Sequence, residues 1–563
     1  MWIRKDVRYL INQGYDLGLA YAAARVAWKH FNEPDFNIAA HRGQWLAQAR
    51  ELDVMRENAI YTDGTGQGLI QSPYRIMPRR IWDLKSNRVV EFRMIHSQFL
   101  AREFLSSSAS IDLEKANLEK ATTPPFWAIT HSWTNEISPV DTSINQSQWP
   151  TPLPRGLNLE HSVRRDLLNK GAEYVWLDVL CLRQNSAMNV TKVDEWKLDV
   201  PTIGNIYRAA VGIARYFNGL GQPFRTTGWD GPRHWLCRAW TLQEIMSEKT
   251  TYNAGISKTS GRAHLIMNTK SVVDGKVTTL RQALHPIVTL AAQVDSPSGC
   301  SVYELVQQMS KRYSTQPTDK VAGLFYLLRT TQLPTYDAGI DAGNAWASCF
   351  HVLPLERKIE ILFDYPYGGE SAGTGCQWFP TWNQLMKWPA RDPAYGHTVA
   401  VWHQAHLQLA QAQKSEHLFL SNIWAISGVH LSQENDRNEY QLDIDNENEI
   451  ERNKYQIDVN VGNDIFAFYY PYVDQKPIEY STSEKYTLVT TDPDHSYNWV
   501  VCETLGMRDE ECMTRDGVAK VAKVAKVEPL RKLGVLRTDS SSEFFLGIGR
   551  KDSILKKINV LFV

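Results

Sequence analysis

Chemistry is most concentrated in the stretch Arg238-Ala-Trp-Thr-Leu-Gln-Glu244. If this run is helical, Glu244 lies one turn beyond Trp240 and on its side, with Leu236, while Leu242 and Ile245 lie roughly opposite. Such a helix is apolar nearly all round and therefore buried. A carboxylate inside it is costly unless it is paired, protonated or turned toward a cleft. Spacing alone favours a core acid tied to a nearby Arg, and a functional acid is the alternative.

Two earlier stretches bear on that choice. Phe126-Trp-Ala-Ile-Thr-His-Ser-Trp133 reads as a short strand ending in His131, Ser132 and Trp133. Tyr174-Val-Trp-Leu-Asp-Val-Leu180 is a strand that is apolar on both faces apart from Asp178, and Cys181 and Gln184 close it. In an open parallel sheet, ligands collect beyond the carboxyl ends of the strands. There these residues would meet Glu244 and Trp240 at one cleft with two acids, a hydroxyl and an indole. Each also has a plain reading. A polar residue at a strand end is commonly a cap or turn, and Asp178 with Arg238 makes a purely structural ion pair as readily as a functional one. Cys181 fits a buried thiol better than a partner for His131, and Trp240 fits the core better than a stacking surface.

The elements that must position these groups follow from pattern. Val7, Leu10, Ile11 and Gly14 recur at helical spacing, as do Trp45, Ala49 and Leu52. Asp63-Gly-Thr-Gly-Gln-Gly68 reads as a plain turn, Tyr74–Val90 as a short ordered lead-in and residues 98–121 as a helix. After Pro124-Pro125 the strand 126–133 and a long polar loop lead to Asn158, which caps a helix carrying Leu159, Val163 and Leu167 until Gly171 stops it. A helix from about Asp194 to Ala210 contains Pro201, whose interior cost of about 3 kcal/mol predicts a kink or two shorter helices. Val211–Phe217 is the third strand. Strand and helix alternating three times imply a parallel sheet. Ser301 and Glu304 form a capping box, and Asp319 opens another helix. Leu418–Ile426, Tyr486–Thr490, Trp499–Cys502 and Phe544–Ile548 are strand-like. The resulting division is a helical region 1–122, an α/β domain 123–250, a helical extension 251–360 and a β-rich domain 361–563.

Composition narrows the class. The 563 residues are 43% apolar with a formal net charge of -1, which gives no hint of a nucleic acid or anionic membrane as partner. Seven Cys without a close CxxC pair fit free thiols in a reducing compartment. With no signal-peptide pattern and no run of 18 apolar residues, the expectation is a cytoplasmic protein. His397, His403 and His406 cluster without completing a metal set, so none is expected to hold a metal. Gly255-Ile-Ser-Lys-Thr259 lacks the second Gly of a phosphate-binding loop. The run Ala519–Val527 is a short internal repeat of Lys, Val and Ala, read as local duplication.

Taken together, Phe126–Trp133, Trp176-Leu-Asp-Val-Leu-Cys-Leu-Arg-Gln184, Ile206-Tyr-Arg-Ala-Ala210 and Trp235–Glu244 resemble, in order, the signature blocks of the fungal heterokaryon incompatibility (HET) domain. Asp319–Leu324 and Phe379–Trp382 look like segments that often follow it. Thr134 stands where the family commonly has Gly, and Pro201 interrupts a helix that is normally continuous. The resemblance implies cytosolic signalling in fungal non-self recognition and programmed cell death, through self-association or other cell-death proteins. It also implies similarity to Toll/interleukin-1 receptor (TIR) domains, some of which cleave the nicotinamide–ribose bond of NAD with a Glu in a Trp-Cys-x-x-Glu arrangement. Trp240–Glu244 keeps that spacing with Thr241 in place of Cys. By this analogy Glu244 is the catalytic acid; at the cleft read from the strand ends Asp178 is the second catalytic residue, holding a hydroxyl or positioning Arg238, and His131, Ser132, Trp133, Cys181, Gln184, Arg238 and Trp240 line the substrate site. NAD is then a substrate, and no cofactor is required. A carboxylate near the ribose would stabilise an oxocarbenium-like state while neutral nicotinamide leaves without a proton. The rival readings are a non-catalytic self-assembling module and a family member recruited to small-molecule biosynthesis.

Overall fold

The computed structural model describes residues 4–31, 53–95, 125–245, 250–254, 268–295, 300–365 and 379–387, apart from positions 65, 135, 186–188, 269 and 274. It also describes the backbone of strands between 418 and 562. The chain is mixed α/β and forms two compact units, one of residues 1–300 with 311–352 and one of 301–310 with 353–563. Residues 98–121, the segment with Trp45, Ala49 and Leu52, Gly255–Thr259, His397, His403, His406, Phe544–Ile548 and most of the Lys-Val-Ala repeat lie outside the described residues.

The first unit is built on a six-stranded sheet of β1 (Arg80–Asp83), β2 (Arg88–Glu91), β3 (Trp127–His131), β4 (Tyr174–Trp176), β5 (Gly212–Tyr216) and β6 (Thr250–Asn253), ordered β6-β5-β3-β4-β1-β2. β3, β4, β5 and β6 are parallel, while β1 is antiparallel to β4 and β2 to β1. β1, β4 and β5 are buried along their whole length, as strands covered on both faces should be. The three expected strands therefore share one sheet. The boundary at 122/123 does not interrupt it, because β1 and β2 come from the expected lead-in.

Local signals place several elements. Asn158 Oδ1 accepts from the Glu160 and His161 amides at 2.9 and 3.1 Å, and Gly171, at φ +84°, ends the helical run. Pro201 separates α1 (Asn189–Asp199) from α2 (Ile203–Ala209). Asp63–Gly68 is a hairpin connection between Ile60–Thr62 and Gly68–Gln71, closed by the Asp63 amide on the Gln67 carbonyl at 3.0 Å.

The expected helix through Trp240 and Glu244 is instead two single 3-10 turns, Trp235–Cys237 and Trp240–Leu242. Arg238 between them is extended (φ -88°, ψ 137°), and the Cys237 carbonyl and Ala239 amide on either side of it are bonded to Tyr313. The Tyr313 amide meets the Cys237 carbonyl at 2.6 Å, and the Ala239 amide meets the Tyr313 carbonyl at 2.9 Å. The Thr241 hydroxyl then stands 2.6 and 2.8 Å from the Trp235 and Arg238 carbonyls, locking the pair of turns. Without a regular helix, Trp240 and Glu244 do not share a face. In the same way, the run at Asp178 is not strand: β4 stops at Trp176 and Asp178–Cys181 is one helical turn.

In the second unit, Ser301 and Glu304 form the expected capping box, with the Glu304 amide 3.1 Å from Ser301 Oγ and the Ser301 amide 3.0 Å from Glu304 Oε2. The strands Leu418–Gln433, Tyr486–Thr490, Asn498–Thr504, Val527–Arg537 and Leu555–Phe562 pair in a closed circuit, and the hairpin of Gln456–Val461 and Asp464–Tyr469 joins it. Leu418–Gln433 reaches three partners by changing register at two bulges. Closure leaves the five-stranded ring without a free edge.

Candidate functional site

β3 and β5 are neighbours whose chains depart to opposite sides of the sheet, since β3 is followed by β4 and β5 by β6. Their carboxyl ends frame the switch point at which open parallel sheets bind ligands. His131 is the last residue of β3. Its Nε2 lies 2.8 Å from Asp178 Oδ1 and its Nδ1 3.2 Å from the Ser132 carbonyl. Both ring nitrogens face acceptors, an arrangement that only the imidazolium satisfies. Burial opposes that charge, but the Asp178 carboxylate outweighs burial and holds His131 above its ordinary range. Asp178 is likewise below the usual carboxylate range despite burial, through His131, the Val179 amide and the Trp133 indole. Trp133 lies nearly parallel to His131, with ring centroids 6.4 Å apart. Gln184 Nε2 donates to the Leu182 carbonyl at 2.9 Å and reaches the Asp178 carbonyl at 3.4 Å, bracing the turn. The Asp178 side chain keeps 27% of its surface exposed and His131 only 6%, so the carboxylate is the half of the pair open to solvent.

Glu244 sits behind this pair. Successive strand residues point to opposite faces, so Thr130 leaves β3 on the other side from His131. The Thr130 hydroxyl donates to Glu244 Oε2 and accepts from the Trp235 indole at 2.6 Å. Tyr207, on α2, spends its proton on the Ile129 carbonyl at 2.8 Å and also bonds Glu244. Burial raises Glu244 to about 7, against the Thr130 bond and His131, with the Asp178 charge adding to the rise. A carboxyl poised there can give or take a proton near neutrality. Glu244 is 8% exposed.

Two buried guanidinium groups complete the electrostatics. Arg215 stands opposite Thr130 in the β3–β5 register, and its guanidinium lies 4.6 Å from the Trp235 ring centroid. Arg312 Nη1 donates to the Arg238 carbonyl at 2.7 Å and to Thr241 Oγ1 at 2.8 Å. Among the described residues neither forms an ion pair. Burial lowers both to about 10, and the Glu244 charge opposes that shift in each. The amide of Gln243 is fully buried, and among the described residues neither its Oε1 nor its Nε2 has a partner.

The structure thus gathers His131, Trp133, Asp178, Gln184 and Glu244, and sends the other candidates elsewhere. Ser132 is buried with its hydroxyl 3.2 Å from the Phe217 carbonyl. Cys181 is buried and its thiol pushed up to about 12, so it is no thiolate partner for His131. The Asp178–Arg238 ion pair is not formed, because Asp178 is taken by His131, and among the described residues Arg238 has no ion pair. Trp240 packs on Tyr336 with centroids 6.3 Å apart and bonds Asp319, which also accepts from the Tyr336 hydroxyl at 2.8 Å. Thr130, Tyr207 and Trp235 lie inside the blocks that carry the resemblance but were not expected at the site, and Arg215 and Arg312 lie outside those blocks. A charge inside the apolar strand Gly212–Tyr216 was the available signal for Arg215. Arg312 has none, since 68 positions separate it from Glu244.

The site offers a titratable acid, an exposed carboxylate braced by an imidazolium, and an indole beside it. This set suits stabilisation of a developing cation. No family model matches the chain, and no curated protein or solved structure does either.

Proposed function

We propose that this chain is a HET-domain protein with a TIR-like α/β domain, acting in fungal non-self recognition and programmed cell death. In this reading it cleaves NAD or a related nucleotide at the nicotinamide–ribose bond, with Glu244 as the acting acid. The single observation that carries it is Glu244 itself, raised to about 7 by burial and held by Thr130 at the carboxyl end of a parallel sheet. The parallel strands β4-β3-β5-β6 run in the order second-first-third-fourth, a doubly wound arrangement that agrees with a TIR-like domain. Glu244 as carboxylate would stabilise positive charge developing on the ribose. Asp178, kept ionised by His131, would hold ribose hydroxyls, and Trp133 would offer a ring surface. The release of neutral nicotinamide asks for no proton donor.

The test is nicotinamide release from NAD by the purified chain, alone and under forced clustering, for the parent and for Glu244→Gln. The expected result is turnover that rises as pH passes through about 7 and is lost in Glu244→Gln by a factor of about 100 or more. Turnover that survives the substitution removes Glu244 from the mechanism. The enclosure of Glu244 by Thr130, Trp235 and Tyr207 favours a second reading, a non-catalytic module that signals by self-association. Cell death on expression that is unchanged by Glu244→Gln, without NAD turnover, decides for it.

A further inference from the structure

A second polar constellation is tied to the Asp178 turn through its Val179 and Cys181 carbonyls. Arg80 opens β1 and donates to both oxygens of Glu195, at 2.9 and 2.7 Å. Arg183 approaches the same carboxylate with Nε 3.3 Å from Oε1. Both guanidinium groups stand over one indole, Trp149, at 5.0 and 5.1 Å from its ring centroid. Trp149 is in turn fixed by its Nε1 on the Val179 carbonyl at 3.4 Å, next to Asp178. Arg79 reaches Glu195 at 4.0 Å and Asp199 at 2.9 Å, and Arg56 is paired with Asp199 as well.

Charge does not balance here. Among the described residues, four guanidinium groups face two carboxylates, Glu195 and Asp199. Widening the circle to Arg93, with its partners Asp53 and Glu91, still leaves five arginines against four acids. The excess sits in largely dehydrated surroundings, where an uncompensated charge is costly. Arg56 feels it: burial lowers its affinity for a proton, Asp199 opposes this, and Arg79 and Arg80 push it further down. Arg79 and Arg183 are the most exposed of the four, their side chains 32% and 16% exposed against 14% for Arg56 and 10% for Arg80. Among the described residues, Arg183 has no polar side-chain partner but Glu195, so the fork of its guanidinium is available to an acceptor. Planar forks of this kind bind phosphate oxygens two at a time.

We propose that Arg183 and Arg79, backed by Arg80 and Trp149, form a site for a phosphate group, separate from Glu244. The phosphate neutralises the surplus charge and is held by charge-assisted bonds from these two more exposed guanidinium groups. Glu195 sets the spacing of the arginines and keeps the site from closing on itself. Trp149 gives the guanidinium planes a rigid floor.

The experiment is a thermal-denaturation and calorimetric titration of the full chain with inorganic phosphate, pyrophosphate and ADP, against chloride at matched ionic strength. Saturable stabilisation by pyrophosphate beyond chloride is expected, weakened about tenfold or more by Arg183→Gln. Arg79→Gln serves as the second variant and is expected to weaken binding in the same direction. Equal response to pyrophosphate and ADP identifies the phosphate as the recognised group, whereas response to ADP alone assigns binding to a nucleoside pocket and overturns the proposal. Stabilisation that merely follows ionic strength, or saturable binding unchanged in both variants, overturns it too.

Discussion

Glu244 binds its proton more tightly in the folded chain than in the unfolded one, about 7 against an ordinary 4.5. Between those two values the native state holds a proton that the unfolded state has lost, so stability falls as pH rises through that window. Above 7 the whole penalty is present, on the order of 3 kcal/mol. Glu244→Gln removes the titration, and the variant is expected to gain stability over the parent at pH 8 and to lose that gain at pH 5, as read from urea midpoints. A gain independent of pH would mean that Glu244 does not titrate in this range. Within the His131–Asp178 pair the two groups run in opposite directions, His131 with the sign of Glu244 and Asp178 against it. His131 is raised, so its contribution is complete below its unfolded pKa and is lost as pH rises through the folded one. Asp178 is lowered, and its contribution is lost as pH falls through its own folded value. Asp178→Asn takes away the charge that overcomes burial, so the His131 resonances should titrate at lower pH in that variant. An unmoved titration would show that the Ser132 carbonyl alone holds the imidazolium.

Individual elements were readable wherever a local rule decided them, and opaque wherever a distant partner did. Pro201 breaks its helix, Gly171 ends another and Ser301 with Glu304 opens a third, each through groups within four positions. The Trp240 segment obeyed a partner 75 positions on, since Tyr313 took the backbone bonds that a helix would have used. Composition alone cannot reveal such a competitor. The site divides the same way. His131 and Asp178 stood at strand ends where a parallel sheet collects polar groups, while Thr130 and Tyr207 became visible only when Glu244 was placed against them. Gly204 on α2 shows two rules in conflict. Helix propensity says that Ala should stabilise this position by about 1 kcal/mol. A methyl group there would meet Cβ, Cγ and Cδ1 of the buried Tyr326 inside van der Waals contact. That ring has little room to retreat, with its hydroxyl 3.3 Å from Arg208 Nη1. Overpacking costs about 1–3 kcal/mol, so Gly204→Ala should lower the midpoint of thermal unfolding. A raised midpoint would show that the ring yields.

Across the whole molecule, the chain order and the two compact units do not coincide. Residues 301–310 belong with 353–563, whereas 311–352 belong with the first 300. The short helix Val302–Ser310 is an integral part of the second unit: Glu360 accepts from the Val302 amide and is itself paired with Arg357 at 2.9 Å, all three being buried. Val302, Leu305, Val306 and Met309 are buried on that helix. A cut at 352/353 therefore strips the second unit of an apolar face and leaves the Glu360 carboxylate without one of its donors. Removing one partner of a buried charged group costs roughly 1–3 kcal/mol or more, and each uncovered aliphatic side chain adds about 1.5–3 kcal/mol. Losses of that size approach the entire stability of a typical domain. A fragment of residues 353–563 is thus expected to bind a hydrophobic dye and to unfold without a cooperative transition, although its β-ring is complete. A synthetic peptide of residues 300–311 added to that fragment should suppress the dye signal. A sharp melting transition for residues 353–563 alone would show that the ring sustains itself and that the helix is dispensable.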